Sequence, residues 1–240
     1  MMSACGELYA EIGSHRQMAD DASYNDRFLT ASEFFSRAQE RLTFDVPVGL
    51  ADPNVLPQHD AHDTDPAVLA AIAAVRPIRP AAVLVPIIEH AEPAVLFTQR
   101  TAHLADHGGQ ISFPGGKIDA GDASPADAAL REAEEEIALA RSFVESIGYL
   151  DIHITPFGHR IVPVLARVRP GFELCFNQNE VDTAFEVPLA FLMAPQNYKR
   201  ESRDWNGLTV KYYVIPFASH NIWGATAGIL RNLYERVYQA

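Results

Sequence analysis

The sequence predicts an α/β or α+β fold, and two features of its middle part support this. Two β-rich runs, at 81–89 and 94–100, are separated by a short acidic turn, which is the pattern of a hairpin-like strand pair. A capped amphipathic helix follows at 124–139, and further β-rich runs come after it. Strands and helices that alternate in this way are typical of a sheet covered by helices.

The length and composition indicate one domain with an N-terminal extension. The chain has 240 residues, of which 48% are hydrophobic, and this is enough for a sizeable core. We expect the extension, with helices and a proline-rich connector, to cover residues 1–79. The main domain is expected to cover residues 80–240.

The charge and the apolar pattern argue against several classes of partner. The formal net charge of −12 disfavours non-specific binding to nucleic acid or to an anionic membrane. The sequence shows no basic segment followed by an apolar run at its start, and no apolar stretch reaches about 18 residues, so we expect neither a signal peptide nor a membrane span. The two cysteines, Cys5 and Cys175, provide no disulfide framework, and we therefore expect a cytoplasmic protein.

Two helices are predicted in the N-terminal extension. Residues 30–42 carry an apolar stripe, with Ser32 as a candidate cap, and residues 66–75 form a short helix that ends before Pro77. The connector at 45–66 holds four prolines and suits an irregular chain. It also contains two histidines and two aspartates that we expect to be solvated loop residues and not a metal cluster, because the segment lacks cysteine and helical register. These four residues are His59, Asp60, His62 and Asp63.

The C-terminal half continues the alternation of strands and helices. The β-rich runs at 145–154, 160–168 and 211–215 predict three further strands. A final helix is expected from Gly224 onward, where small residues favour close packing against the sheet. The residues of this helix that should face inward are Leu230, Leu233 and Val237.

The helix at 124–139 begins with a strong start signal. The Ser124 hydroxyl can bond the first free N–H groups, and Pro125 lacks an N–H group that this position would leave unpaired. Asp127 adds a negative charge where the helix dipole favours one. Apolar residues then recur at helical spacing and form the predicted buried stripe. This stripe consists of Ala126, Leu130, Ala133 and Ile137.

An acidic cluster occupies the same helix. Glu132, Glu135 and Glu136 stand at i, i+3 and i+4, so we expect all three to project from the face opposite the buried stripe. A run of acids on a helix is commonly a solvated face. A divalent cation such as Mg²⁺, which takes oxygen ligands, would instead make use of this repulsive arrangement. The glycines at 115–116 favour the second interpretation, because they let the backbone approach a ligand closely.

Together, these residues resemble the Nudix box, G-x5-E-x7-R-E-U-x-E-E-x-G-U, where U is aliphatic. Three positions depart from the pattern: Asp122 replaces a glutamate, eight residues instead of seven separate it from Arg131, and Ala138 replaces the late glycine. The positions that match are Gly116, Arg131, Glu132, Ala133, Glu135, Glu136 and Leu139.

The segment before the helix is similar to one subfamily, the coenzyme A pyrophosphatases. Residues 96–116, LFTQRTAHLADHGGQISFPGG, resemble the signature L-L-T-x-R-S-x3-R-x3-G-x3-F-P-G-G. The pattern G-G-x-x-D-x-x-D is matched from Gly115 to Asp122. Phe97, Thr101 and Ala105 depart from the signature, and Ala105 stands where an arginine is expected.

The resemblance implies a Nudix-type α/β/α sandwich around a mixed, twisted sheet, and it implies a metal site. Mg²⁺ or Mn²⁺ would be held by Glu132, Glu135 and Glu136, joined by the Gly116 carbonyl. Arg131 would orient these acids by ion pairing. A glutamate before the VPL-like segment, here Glu180, would supply the base or a further ligand, although it can also be a surface acid. The residues expected to bind substrate are Arg100, Gly115, Gly116 and Lys117.

The resemblance also implies a small-molecule substrate. The first hypothesis is hydrolysis of coenzyme A or a derivative to 3′,5′-ADP and 4′-phosphopantetheine. The second is hydrolysis of another nucleoside diphosphate derivative, such as ADP-ribose. The third is a nucleotide-sensing module without catalysis, against which the complete set of acids in the box argues. The sequence leaves the number of metal ions open, and it leaves open whether the chain forms a homodimer.

Overall fold

A computed structural model describes residues 29–50, 52, 65–103 and 108–239. Cys5, Ala105 and the predicted loop group from His59 to Asp63 lie outside these residues. The helices, in chain order, are α1 (Ala31–Arg41), α2 (Pro66–Ala73), α3 (Pro125–Ile137), α4 (Leu189–Leu192) and α5 (Ala225–Leu233). The strands are β1 (Arg79–Ile88), β2 (Ala94–Arg100), β3 (Ile111–Ser112), β4 (Gly115–Lys117), β5 (Val144–Tyr149), β6 (His153–Ile154), β7 (His159–Val168), β8 (Val181–Pro188), β9 (Lys199–Trp205), β10 (Leu208–Phe217) and β11 (His220–Trp223).

The main sheet is mixed and has eight strands. Its central path runs β3-β2-β1-β7-β5, while β4 pairs with β1, β6 with β7 and β8 with β2. Strands β1 and β7 are parallel, and the other pairs are antiparallel. The second half of β1 pairs with β2, whereas its first half pairs with β4. Strands β2 and β4 therefore share the edge of β1 that lies opposite β7.

Helices cover both faces of this sheet. Successive side chains of a strand point to opposite faces, so each strand contributes to two cores. On β1, Leu84 and Ile88 belong to the core beneath α3, whereas Val85 and Ile87 belong to the core shared with α1 and α5. These two cores confirm the predicted helix–sheet–helix arrangement. Phe34, from the predicted extension, lies in the same core as α5.

The start of α1 corrects one expectation. Thr30, and not Ser32, is the N-cap: its hydroxyl accepts from the Glu33 N–H, and the Glu33 carboxylate accepts from the Thr30 N–H. This reciprocal pair is a capping box. Ser32 is the second residue of the helix and therefore lies inside its first turn.

The structure also differs from the strand predictions: β8 forms at Val181–Pro188, where no strand was predicted, and two further regions differ. The run 145–154 forms two strands, β5 and β6, separated at 150–152. A second sheet of three antiparallel strands, in the order β11-β10-β9, contains two strands that the pattern did not predict. Strand β9 is mostly exposed and highly charged, so it lacks the apolar alternation of a half-buried strand. The Asn206-Gly207 turn, with positive φ at both residues, was nevertheless a hairpin signal in the sequence.

In the described part of the chain, every helix is too short or too polar to cross a bilayer.

Candidate active site

The two glycines of the 115–116 turn lie where no side chain fits. A Cβ on Gly115 would stand 2.4 Å from the Ala82 carbonyl oxygen, and one on Gly116 would stand 2.5 Å from the Glu132 carboxyl carbon. The strand β4 that contains both glycines pairs with residues 81–83 of β1. The backbone of this turn therefore lies directly against the side of α3 that carries Glu132.

Glu136 is the buried acid of the cluster. Glu136 is only 3% exposed. Its Oε2 accepts a hydrogen bond from the Gly115 N–H at 3.1 Å, and its Oε1 lies 3.8 Å from Nη1 of Arg100. Burial raises the pKa of Glu136 to about 8, although the hydrogen bond from Gly115 and the positive charge of Arg100 oppose this rise. The expectation that Glu136 stands on the exposed face of the helix is therefore wrong: the Gly115 turn closes over that side of α3.

Arg131 holds three carboxylates at once. Its Nε and Nη2 donate to the two oxygens of Asp122 at 2.9 and 3.1 Å, the bidentate geometry in which arginine binds best. Its Nη1 donates to Glu132 at 2.9 Å and to Glu135 at 3.2 Å. Nη2 also donates to the Lys117 carbonyl oxygen. The hydrogen bond to Asp122 is the largest cause of the raised pKa of Arg131 and of the lowered pKa of Asp122.

The loop before α3 folds back at Asp122. The Asp122 carboxylate also accepts from the Asp119 N–H at 2.7 Å, so the loop folds back before the helix begins. Asp122 therefore contacts Arg131, although its side chain is shorter than the glutamate of the box and one more residue separates the two. Asp122 was not among the predicted site residues, although its place in the box was a signal for this role.

Glu132 and Glu180 complete the acidic group. Burial is the main cause of the raised pKa of Glu132, and the negative charges of Glu135 and Glu180 add to it. Glu180 also acts electrostatically on Glu136, so the structure brings it to the cluster. It lies immediately before β8, and its Oε1 accepts a hydrogen bond from the side chain of Asn177. Asn177, whose N–H donates to the Glu136 carbonyl oxygen, is a positioning residue, and no pattern in the sequence pointed to it.

The predicted substrate-binding cations take different positions. Arg100 ends β2, is partly buried and faces Glu136. Lys117 ends β4, is largely exposed and pairs with Asp119 at 3.1 Å. Of these two cations, Arg100 therefore lies within the acidic cluster, while Lys117 lies at its exposed edge.

The donor set fits a hard divalent cation. The negative charges of neighbouring carboxylates contribute to the raised pKa values of Glu132 and Glu136, and a cation relieves such repulsion. Among the described residues, no three acidic, histidine or cysteine side chains already surround one point as they would around an ion. The guanidinium groups account for this, since Arg131 holds Glu132 and Glu135 while Arg100 attracts Glu136. A cation would compete with these arginines for the same oxygens.

Comparisons with known proteins identify the family. Residues 78–206 match the family model of the NUDIX domain. The chain belongs to the Nudix hydrolase family. It is 40% identical over 153 residues to a protein described as uncharacterized Nudix hydrolase NudL from Escherichia coli K12, which covers 64% of this chain and 80% of that protein. The NudL protein of Shigella boydii matches to the same extent.

Distant likenesses to solved Nudix structures concern the fold alone. The NUDIX domain of Shewanella oneidensis NrtR, in complex with ADP ribose, is 22% identical, with a TM-score of 0.38 over 55% of this chain and 82% of that one. An Ap4A hydrolase from C. elegans is 21% identical, with a TM-score of 0.40 over 45% of this chain and 80% of that one. As a Nudix hydrolase, the present chain is an enzyme that acts on nucleoside diphosphate derivatives.

Proposed function

We propose that this Nudix hydrolase cleaves the phosphoanhydride of coenzyme A or of an acylated derivative, giving 3′,5′-ADP and the corresponding 4′-phosphopantetheine. The observation that carries the proposal is the segment 96–116, which resembles the signature of coenzyme A pyrophosphatases. The hydrogen bond from the Gly115 N–H to Glu136 supports it, because it joins that segment to the acidic cluster.

The residues of the cluster have distinct roles in this proposal. Glu132, Glu135 and Glu136, with the Gly116 carbonyl, would hold Mg²⁺ or Mn²⁺. The bound cation would supply charge neutralisation at the phosphate oxygens. Arg131 orients Glu132 and Glu135 by ion pairing and is not itself a catalyst.

The remaining residues bind substrate and move a proton. Arg100, with the exposed Lys117 at the mouth, offers positive charge to the diphosphate. The oxygen of a water molecule attacks one phosphorus, the bond from that phosphorus to the bridging oxygen breaks, and the leaving phosphate takes the bond's electrons. Glu180 is our candidate to accept the proton of the attacking water, since it lies beside Glu132 and Glu136 and is partly exposed.

A substrate panel tests the proposal. We expect coenzyme A to give the highest kcat/KM, ahead of dephospho-coenzyme A and ADP-ribose, with products identified by mass spectrometry in Mg²⁺ and, separately, in Mn²⁺. A clear preference for ADP-ribose would reject coenzyme A as the substrate and retain the nucleoside diphosphate class. No turnover of any member with either metal would favour a sensing module.

The place and assembly of the enzyme are further proposals. We place it in the cytoplasm, because a chain with only two cysteines suits a reducing compartment. Sedimentation of the purified protein would decide whether it forms a homodimer.

A further inference from the structure

A buried threonine after the end of β2 bonds the turn that carries Glu180. Thr101 directly follows Arg100, the last residue of β2, and it is only 6% exposed. Its N–H donates to the Glu180 carbonyl oxygen at 3.0 Å, and its hydroxyl donates to the Asn179 carbonyl oxygen at 3.3 Å. A single residue therefore holds two successive carbonyl groups of residues 177–180, which we call the Glu180 turn.

The pairing of β2 with β8 is irregular just after this turn. The register skips Asp182, which forms a β-bulge. The pairs on either side of the bulge are Gln99 with Thr183 and Arg100 with Val181. A bulge disrupts the ladder locally and bends its strand. The two bonds from Thr101 continue the connection between the strands beyond the bulge, as far as Glu180.

The bulge also determines which residue lies opposite Arg100. Residues paired directly across two strands have their side chains on the same face of the sheet. In an unbroken register the partner of Arg100 would be Asp182, but the observed partner is Val181, which belongs to the core beneath α3. Asp182 is instead exposed. The end of β8 thus places an apolar residue, and not a carboxylate, beside the arginine that faces Glu136.

The other end of the Glu180 turn is fixed to α3. The Asn177 N–H donates to the Glu136 carbonyl oxygen at 2.9 Å, and the Asn177 carbonyl oxygen accepts from the N–H groups of Glu180 and Val181, each at 2.9 Å. The Asn177 side chain holds Oε1 of Glu180 at 3.1 Å. The turn is therefore bonded on one side to the helix that carries the acids and on the other side to Thr101.

Such anchoring is what a catalytic carboxylate needs. A glutamate side chain has several rotatable bonds, so its carboxylate is placed accurately only where neighbouring groups fix the backbone and the side chain. A displacement of about 1 Å can cost about a hundredfold in rate. The bonds from Thr101 act on the backbone of Glu180, whereas the Asn177 amide acts on its carboxylate.

We propose that Thr101 is a positioning residue for hydrolysis: it fastens the Glu180 turn to the end of β2 and so holds Glu180 at a constant distance from the adjacent Arg100. This proposal rests on the proposed function, in which Glu180 accepts the proton of the attacking water. It also accounts for the residue type at this position. Thr101 departs from the serine of the signature, but it keeps the hydroxyl that the turn requires.

Amide hydrogen exchange tests the anchoring without any turnover. In the full chain, Thr101→Val should speed the exchange of the Glu180 and Val181 amides severalfold, because local opening of the turn becomes easier. Thr101→Ser, which keeps the hydroxyl, should exchange as wild type does. Amides in the middle of β2 should exchange at the same rate in all three proteins.

Kinetics test whether the anchoring serves Glu180. We measure them with saturating Mg²⁺ and the substrate that wild type turns over fastest. Thr101→Val should lower kcat by about tenfold and leave KM within about twofold, because it displaces a catalytic group and removes no substrate contact. Thr101→Ser should restore kcat. In a Glu180→Gln background, Thr101→Val should change kcat by less than about twofold, since two residues that act through one group are not additive.

A second buried threonine provides the matched control. The Thr226 hydroxyl also donates to a backbone carbonyl oxygen, that of Ile111 at 3.0 Å, and Thr226 is 7% exposed. Its helix, α5, packs in the core on the face of the sheet opposite α3. Thr226→Val should therefore keep kcat within about twofold of wild type and leave exchange in the Glu180 turn unchanged. Melting temperatures show which variants fold.

The outcomes separate this role from the proposed substrate. Wild-type exchange or wild-type kcat in folded Thr101→Val would overturn the role of Thr101, and so would an equal loss of kcat in the presence and absence of the Glu180 carboxylate. Wild-type kinetics in Glu180→Gln would overturn both Glu180 as the base and the role of Thr101 in hydrolysis. A preference of wild type for ADP-ribose would reject coenzyme A but would leave the role of Thr101 intact.

Discussion

Two arginines pair with the carboxylates of α3, and they do so in different surroundings. Arg131 joins Asp122, Glu132 and Glu135 beside the Gly115 turn, and the Asp122 side chain is only 4% exposed. Arg141, after the helix, joins Asp127 and Glu134, whose side chains are 32% and 41% exposed. The same residue types thus form a partly buried group of ion pairs around Arg131 and exposed ion pairs around Arg141. The burial of Asp122 and Glu132, whose side chains are 4% and 15% exposed, distinguishes the candidate site, while Glu135, at 58%, lies at its exposed rim.

The run of three consecutive glutamates shows the same contrast within a single turn of helix. Glu134 points to Arg141 at the surface, Glu135 is exposed at the rim of the Arg131 group, and Glu136 is buried against the Gly115 N–H. Successive helix positions differ by about 100° in direction, so adjacent glutamates reach different environments. We expect their functions to separate in the same way.

The largest expected effect follows from neutralising the buried glutamate. Glu136→Gln should lower kcat/KM by about a thousandfold, because several kcal/mol of charge stabilisation are lost and each 1.4 kcal/mol is worth about tenfold. Steady-state kinetics with saturating Mg²⁺ measure this. The matched variant Glu134→Gln should stay within about twofold of wild type, as expected for a surface ion pair. Comparable losses in both variants would remove the distinction between the two glutamates.

The next effect concerns the two arginines. Arg131→Ala should lower kcat/KM by about a hundredfold, since misplaced catalytic groups cost about that much. It should also lower the melting temperature, because Glu132 and Asp122 lose their cation. Arg141→Ala should leave kcat/KM unchanged and alter stability by only about 0–1 kcal/mol. A larger activity loss in Arg141→Ala than in Arg131→Ala would contradict the comparison.

Glu180→Gln should lower kcat by about a hundredfold or more if Glu180 accepts the proton, which is the lower end of typical general-base contributions. The Mg²⁺ concentration needed for half-maximal activity should then stay the same. If Glu180 is a metal ligand, extra Mg²⁺ should restore much of the rate. Wild-type kinetics at every Mg²⁺ concentration would show that Glu180 is a surface acid.

The smallest expected effect is a pH dependence of folding in the metal-free protein. The pKa of Glu136 rises from its ordinary value of 4.5 to about 8 on folding, so the unfolded chain releases this proton at lower pH than the folded one. Stability from the neutral carboxyl is fully present below about pH 4.5 and is lost as the pH rises towards 8. The melting temperature of metal-free wild type should therefore fall, relative to Glu136→Gln, between pH 5 and 8. Parallel curves would show that burial of Glu136 does not shift its titration.

Local signals predicted much of the fold. The start of α3 follows from Ser124, whose hydroxyl accepts from the Asp127 N–H, and from Pro125 in the first turn. The hairpin of β1 and β2 follows from two apolar runs and a short turn. Strand β9 was missed because an exposed, charged strand shows no apolar alternation. Backbone pairing with β10 holds it in place, and the amino-acid composition of the strand does not reveal such pairing.

The candidate site was predictable in its members but not in its geometry. The Nudix resemblance named Glu132, Glu135 and Glu136, but helix spacing alone placed Glu136 on the exposed side. Its burial depends on the Gly115 turn, which β1 brings against α3 through pairs that lie more than 30 residues apart in sequence.

Binding of Mn²⁺ measured by electron paramagnetic resonance tests most directly whether the buried end of α3 is the functional one. We predict that wild type and Glu134→Gln quench the signal of free Mn²⁺ with the same affinity. Glu136→Gln should bind at least about tenfold more weakly, because a ligand charge is lost. If Glu136→Gln binds Mn²⁺ as wild type does, or if Glu134→Gln loses it, the metal is not held by the buried acids and the account is wrong.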